Sequence, residues 1–378
     1  MQHVMPENIA HVLDHLTSLG ASDIQFKVGQ PPLICVHDQW GPAPQYAPLQ
    51  GNTVIEIHSK LCRDQRYAHV PADGQWDGDY RTSTANHHFR VSAGKEQGRA
   101  YMVLRPLPKT IPSFDDLSLL DDVLGEPPPG IPPLREGFER VMRLKRGLIL
   151  VTGSTGSGKS TTLASCIDYI STRMAHNIIT IEDPIEFVFP SRKSYITQRE
   201  YGVDTENFST ALRAALRQKP NVIMVGELRD RETMDAALRA VNTGHLVLST
   251  MHDNEAASAI ARIVAEFPPD DHVRIRHSLS ELLAAVFAQQ LVPTTDGKRQ
   301  VIHDAMILTP NMRTIIRPSE GKSGDAYLQT LREEIAQRNP VGNRSMDDEL
   351  RRAVRHGLID EDVAKDAAIK PDLWEKPQ

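Results

Sequence analysis

At 378 residues, 40% hydrophobic and 24% charged, the chain is long enough for two or three domains and apolar enough for a core, which excludes a wholly disordered polymer. A net charge of −6 argues against a broad basic face for nucleic acid. The three cysteines, Cys35, Cys62 and Cys166, lie far apart and form no CxxC pair, so neither a disulfide framework nor a cysteine-rich zinc site is expected.

Met1–Ala10 has no basic-then-apolar leader pattern, and no apolar run reaches the roughly 18 residues needed to cross a bilayer, which predicts a soluble cytoplasmic protein. Pro6–Leu19 has helical spacing, with Ile9, Val12, Leu13 and Leu16 on one face. Strand-like pieces follow at Asp23–Val28, Leu33–Val36, Phe89–Ser92 and Ala100–Arg105, giving a small α+β module over 1–112. Prolines then cluster from Pro106 to Pro133. Proline lacks an amide proton and fixes φ, so 113–136 is predicted to be a stiff linker. From Gly147 buried-type runs (Leu148–Thr152, Ile178–Ile181, Val222–Val225, Leu246–Thr250, Val301–Ile307) alternate with helical patterns (Lys159–Met174, Phe208–Gln218, Glu232–Val241, Glu255–Val264). That texture predicts an α/β domain over 137–310, built on a parallel sheet covered on both faces. Residues 311–378 read as short helices ending in a charged tail.

Leu148–Thr152 runs into Gly153-Ser154-Thr155-Gly156-Ser157-Gly158-Lys159-Ser160 and then Thr161 and a helix: GxxxxGK[ST], strand before and helix after. The glycines allow successive amide N–H groups to turn inward as an anion nest, and the helix dipole adds positive potential there. Lys159 supplies a cation for the β- and γ-phosphates, and the Ser160 hydroxyl suits Mg²⁺. Further on, the strand ending in Glu227 delivers a carboxylate to the sheet edge where ligands bind, able to orient or deprotonate a water. Gly226 stands where a Walker-B strand carries Asp, leaving Mg²⁺ to Ser160, the phosphates and water. Glu182, Asp183 and Glu186 follow another buried strand, and Pro184 fixes the turn that aims them; Glu186 is expected to hold a catalytic or Mg²⁺-bound water. His245 and His252 bracket a strand near that edge and are assigned to γ-phosphate sensing rather than to a metal.

Together, GSTGSGKSTTLAS (153–165), TIEDPIEF (180–187), TQRE (197–200), ALRAALRQKPNVIMVGELRD (211–230) and TGHLVLSTMH (243–252) resemble the PilT/PilU branch of the secretion-type hexameric ATPases, which retract type IV pili. The resemblance covers essentially the whole chain. It implies a RecA-like P-loop core, a PAS-like N-terminal domain, a small C-terminal helical region, and a homohexamer using ATP and Mg²⁺. It also implies work on an inner-membrane pilus platform protein from the cytoplasmic side, with a paralogous retraction ATPase as a further partner and no nucleic acid. By position, Lys159 and Ser160 match Walker A, Glu186 the Asp-box acid, Glu227 the Walker-B glutamate, and His245 and His252 the His-box pair. Arg90 and Arg105, which residue reading alone makes outward-facing strand charges, match arginines that reach the nucleotide, a task that suits a fork of always-protonated donors. The departures are the extra Glu126–Pro133 stretch and Pro318, which replaces an acid in the segment Asn311–Pro318 resembling the family's AIRNLIRE motif. Within the branch, an accessory motor or a secretion or conjugation ATPase is the alternative. Outside it, a RecA-core DNA translocase or nucleotide-gated binding module is the rival.

Overall fold

The computed structural model describes residues 3–36, 39–63, 78–108, 110–318, 326–337 and 340–374. The chain divides into two compact units, residues 1–110 and 111–378.

The first unit is an antiparallel sheet of six strands with helices. The strands are β1 (Asp23–Lys27), β2 (Leu33–Val36), β3 (Gln39–Pro42), β4 (Gly78–Ser83), β5 (His88–Glu96) and β6 (Arg99–Pro106), in the order β3-β2-β1-β6-β5-β4. Period-two alternation buries Ile24 and Phe26 on β1, Phe89 and Val91 on β5, and Met102 and Leu104 on β6. The helix Ile9–Ser18 buries the four apolar residues its spacing predicted. The helix Thr53–Arg63 and the strands β3 and β4 are additions to the predicted elements.

The second unit is a seven-stranded sheet covered on both faces. Its strands are β7 (Gly147–Thr152), β8 (Asn177–Glu182), β9 (Tyr195–Glu200), β10 (Val222–Val225), β11 (Leu246–Met251), β12 (Leu283–Pro293) and β13 (Arg299–Ile307), in the order β13-β12-β7-β11-β10-β8-β9. Alternate residues feed two separate cores. Leu148, Leu150, Ile223, Val225 and Val247 go to one face; Ile149, Val151, Val222, Met224 and Leu248 go to the other. This is the predicted α/β fold class, with one correction. The run Val301–Ile307 belongs to β13, which pairs antiparallel with β12 as an edge hairpin, whereas the other pairings are parallel.

Strand β12 is irregular near its start. Its pairing with β7 carries a bulge between Leu283 and Ala285, and the extra residue, Ala284, lies against Gly147. Beyond the bulge Phe287 stacks on Phe138 with ring centroids 3.8 Å apart. Gln289 lies on the Phe287 face, while Gln290 lies on the other and donates from Nε2 to the Ala367 carbonyl at 3.2 Å.

The proline-rich stretch 113–136, expected as a linker, is part of the second unit. Proline bars regular ladders but not packing: Phe114, Leu119 and Leu134 enter one core, and Leu120 joins Met346, Leu350 and Ala353 in a smaller one. Asp121, 6% exposed, accepts from Arg344 at 3.0 Å, Arg352 at 2.6 Å and the Leu134 amide at 2.8 Å. Residues beyond 310 are equally continuous with the core, since Met312, Ile316, Leu331 and Ile335 pack on the sheet. Buried Asp304 also accepts from the amides of Ala256 and Met346.

Candidate functional site

The cradle lies where β7 meets the helix Lys159–Arg173. Gly153, Gly156 and Gly158 take φ of 149°, 81° and 90°. At Gly153 space forbids a side chain as well, because a Cβ would come within 2.4 Å of the Gln289 carbonyl oxygen and 2.5 Å of Ser157 Oγ. Lys159 Nζ donates to the carbonyls of Gly153 and Ser154, both at 2.8 Å, which curls it over the loop. Burial pulls the Lys159 ammonium below its ordinary value, and the nearby Glu227 and Glu186 carboxylates oppose that shift. Ser160 is exposed at the first turn of the helix. The chemistry of this loop fits polyphosphate: an ammonium, positive-φ glycines and a helix N-terminus converge at one point.

Parallel pairing sets Thr152 opposite Met251 and Ala288, so the carboxyl ends of β7 and β11 reach the cradle edge together, beside the middle of β12. Glu227 follows β10 there. His252 Nε2 lies 3.2 Å from its Oε1, and Arg229 Nε donates to its Oε2 at 2.8 Å, so both carboxylate oxygens are held. A half-open cleft of about 680 Å³ lies beside Glu227, walled by Arg229, Arg231 and the stacked rings of Tyr201 and Phe208.

Gly226 lies close against β8. Its amide donates to the Ile181 carbonyl at 2.7 Å, and an added Cβ would lie 3.3 Å from both Glu182 Cα and the Ile181 oxygen. A side chain there would need the β8 backbone to give by a few tenths of an ångström. Among the described residues no three His, Cys, Asp or Glu side chains converge to hold a metal by themselves, so Mg²⁺ would be held by the exposed Ser160 hydroxyl together with phosphate oxygens.

The three acids at the end of β8 and just beyond it separate. Glu182 turns inward, 6% exposed, and accepts from Thr180 Oγ1 at 2.6 Å and Gln198 Nε2 at 3.0 Å. Asp183 pairs with Arg229 at 3.6 Å, while Glu186 stays exposed and within electrostatic reach of Lys159. The TQRE run explains what holds this turn. Gln198 accepts from the Phe189 amide and donates to the Phe187 carbonyl, both at 2.8 Å, and Glu200 accepts from the Ile185 amide at 2.9 Å.

His245 sits at the other end of β11 from His252. It precedes β11 and His252 follows it, and seven residues of strand rise set them roughly 20 Å apart. His245 Nδ1 instead contacts the Ala240 carbonyl at 2.9 Å and Thr243 Oγ1 at 3.1 Å. Of this histidine pair, His252 is the one that meets Glu227. Arg90 and Arg105 lie in the first unit as cross-strand neighbours, and Arg105 donates from Nε to Asp23 at 2.8 Å. In the segment 311–318, Arg313 is spent structurally on the Ser280 and Glu281 carbonyls that end the helix His272–Leu282. Residue reading missed Gln289, whose signal was a polar residue at strand spacing inside an apolar run.

Residues 57–355 match the family model described as type II/IV secretion system protein. The type IV pilus retraction ATPase PilT of Pseudomonas aeruginosa is 36% identical over 365 residues, which is 97% of this chain and 99% of that protein. The type IV pilus ATPase PilU of the same organism is 35% identical, covering 88% of this chain and 85% of that protein. The crystal structure of the pilus retraction motor PilT with bound ADP superposes with a TM-score of 0.84 at 35% identity, covering 97% and 98% of the two chains.

Proposed function

The chain belongs to the type II/IV secretion system protein family, and from that premise we propose that it is a Mg²⁺-dependent ATPase motor that retracts type IV pili. ATPase activity follows from the family and from the cradle with Glu227 beside it. Retraction is carried by one observation: the match to PilT spans both units end to end, whereas PilU aligns over a smaller share of each chain. In this reading the motor is a ring of six that acts peripherally on the pilus platform from the cytoplasmic side. No helix among the described residues is long and apolar enough to cross a membrane.

Lys159 and the loop amides bind and orient the β- and γ-phosphates, and Ser160 takes part in holding Mg²⁺, whose chemistry when bound is charge neutralisation at phosphate oxygens. Glu227, held by His252 and Arg229, accepts the proton of the attacking water. Glu186, also within electrostatic reach of Lys159, is the second acid. Arg105 and Arg90 are proposed counter-charges on resemblance alone; unchanged turnover in Arg105→Ala would remove that role.

Purified protein should hydrolyse ATP with no stimulation by DNA, and its expression should restore twitching to cells lacking their retraction motor. Strong DNA stimulation would favour a translocase instead. Lys159→Ala should weaken ATP affinity about 10- to 100-fold, because hydrogen bonds to charged groups contribute about 1.5–3 kcal/mol. Calorimetric titration with a slowly hydrolysed ATP analogue checks this, and wild-type affinity would refute the role of the cradle lysine.

A further inference from the structure

One buried side chain that touches no phosphate shapes the loop that does. Gln289 is 1% exposed and sits beneath the cradle on β12. Its Nε2 donates to the Ser157 carbonyl at 2.6 Å, and its Oε1 accepts from Thr162 Oγ1 at 2.9 Å. One amide thus ties the end of the loop to the first turn of the following helix, bracketing Gly158, Lys159, Ser160 and Thr161. The same residue's backbone oxygen presses on Gly153, and its Nε2 lies 3.2 Å from where a Cβ on Gly158 would stand.

The peptide group makes this a matter of aim. A trans peptide directs its C=O and N–H in opposite senses, so drawing the Ser157 oxygen down to Gln289 turns the Gly158 N–H up, away from the strand. The loop's amides serve as an anion nest only when they face inward together. Glutamine suits the place because it donates at one end and accepts at the other without charge. A carboxylate there would set lone pairs against the Ser157 carbonyl, and methionine would fill the space with neither bond.

We propose that Gln289 is a positioning residue for ATP hydrolysis, which holds the phosphate loop in its binding shape through Ser157 and Thr162. The inference rests on nucleotide binding at the cradle and not on what the motor pulls. With a fluorescent ADP analogue as probe on the full chain, Gln289→Met should raise Kd about tenfold and carry KM for ATP with it. The change in kcat should be smaller, and the thermal midpoint should stay within a few degrees. Thr162→Val should raise Kd several-fold, and Thr162→Ser, which keeps the hydroxyl, should return it to the wild-type value. A Kd within twofold of wild type in Gln289→Met, or a fall in thermal midpoint with Kd unchanged, overturns the proposal. If Gln289→Met does not fold, equal Kd in Thr162→Val and Thr162→Ser overturns it instead. A wild-type protein that fails to bind the probe strikes the cradle reading itself, and the proposal with it.

Discussion

Glu227→Gln should bind ATP as the wild type does and lose most of its turnover. The amide keeps the shape of the carboxylate and still accepts from Arg229, but it cannot take a proton from water. Loss of a positioned base typically costs 10²–10⁴-fold, about 3–5 kcal/mol of barrier. The outcome is read in steady-state ATPase rates beside the affinity for a slowly hydrolysed analogue. Glu186 supplies the internal comparison, since it too is felt by Lys159 but is exposed and has fewer fixed contacts. A Glu227→Gln protein hydrolysing within a few-fold of wild type would move the base to Glu186.

Asp121→Ala should unfold the second unit far more easily, without any direct contact with nucleotide. Asp121 is paired with Arg344 and Arg352, whose side chains are 1% and 7% exposed, and Glu349 lies 3.7 and 3.2 Å from the same two arginines. Asp121 is the countercharge that both buried arginines share, and removing it leaves them short of negative charge out of water. Breaking such a pairing costs about 3–5 kcal/mol, because the partner charge stays buried. For a unit of this size the thermal midpoint should drop on the order of 10 °C. Its neighbour provides the control. Asp122 pairs with Arg135 at 2.9 Å but is 37% exposed, so Asp122→Ala should shift stability by about 1 kcal/mol or less. Equal midpoints for Asp121→Ala and wild type would show that residues 113–136 are not anchored by this cluster.

The range of each signal decides how much of it the chain made legible. The cradle and the strand feeding Glu227 are local patterns, set by residues adjacent in sequence. Strand β12 was not, since Leu283–Gln290 holds three alanines and two glutamines, good helix formers, and its burial between β7 and β13 makes it extended. Gln289 was hidden with it. The two histidines illustrate a different limit. Flanking one strand does not make a shared site, because a strand is extended and its two ends lie far apart. The crowding at Gly226 comes from β8, some forty residues earlier, which no local pattern reports. Likewise proline content predicted what 113–136 could not form, and was silent about the arginines more than two hundred residues later that fasten it down.

The bulge at Ala284 absorbs one extra residue, and beyond it β12 pairs residue for residue with β7. Deleting a regular residue past the bulge, Val286, would draw each later position back by one, exchanging the two faces of the strand. Gln290 would then arrive where Gln289 stands, so the phosphate loop would still find a glutamine beneath it. Ala288 would arrive where Phe287 stacks on Phe138, and the ring pair would be gone. The doubled glutamine is thus blind to a slip of one, and the aromatic pair is not. Correct alignment beneath the nucleotide is guarded by two phenylalanines that never touch it.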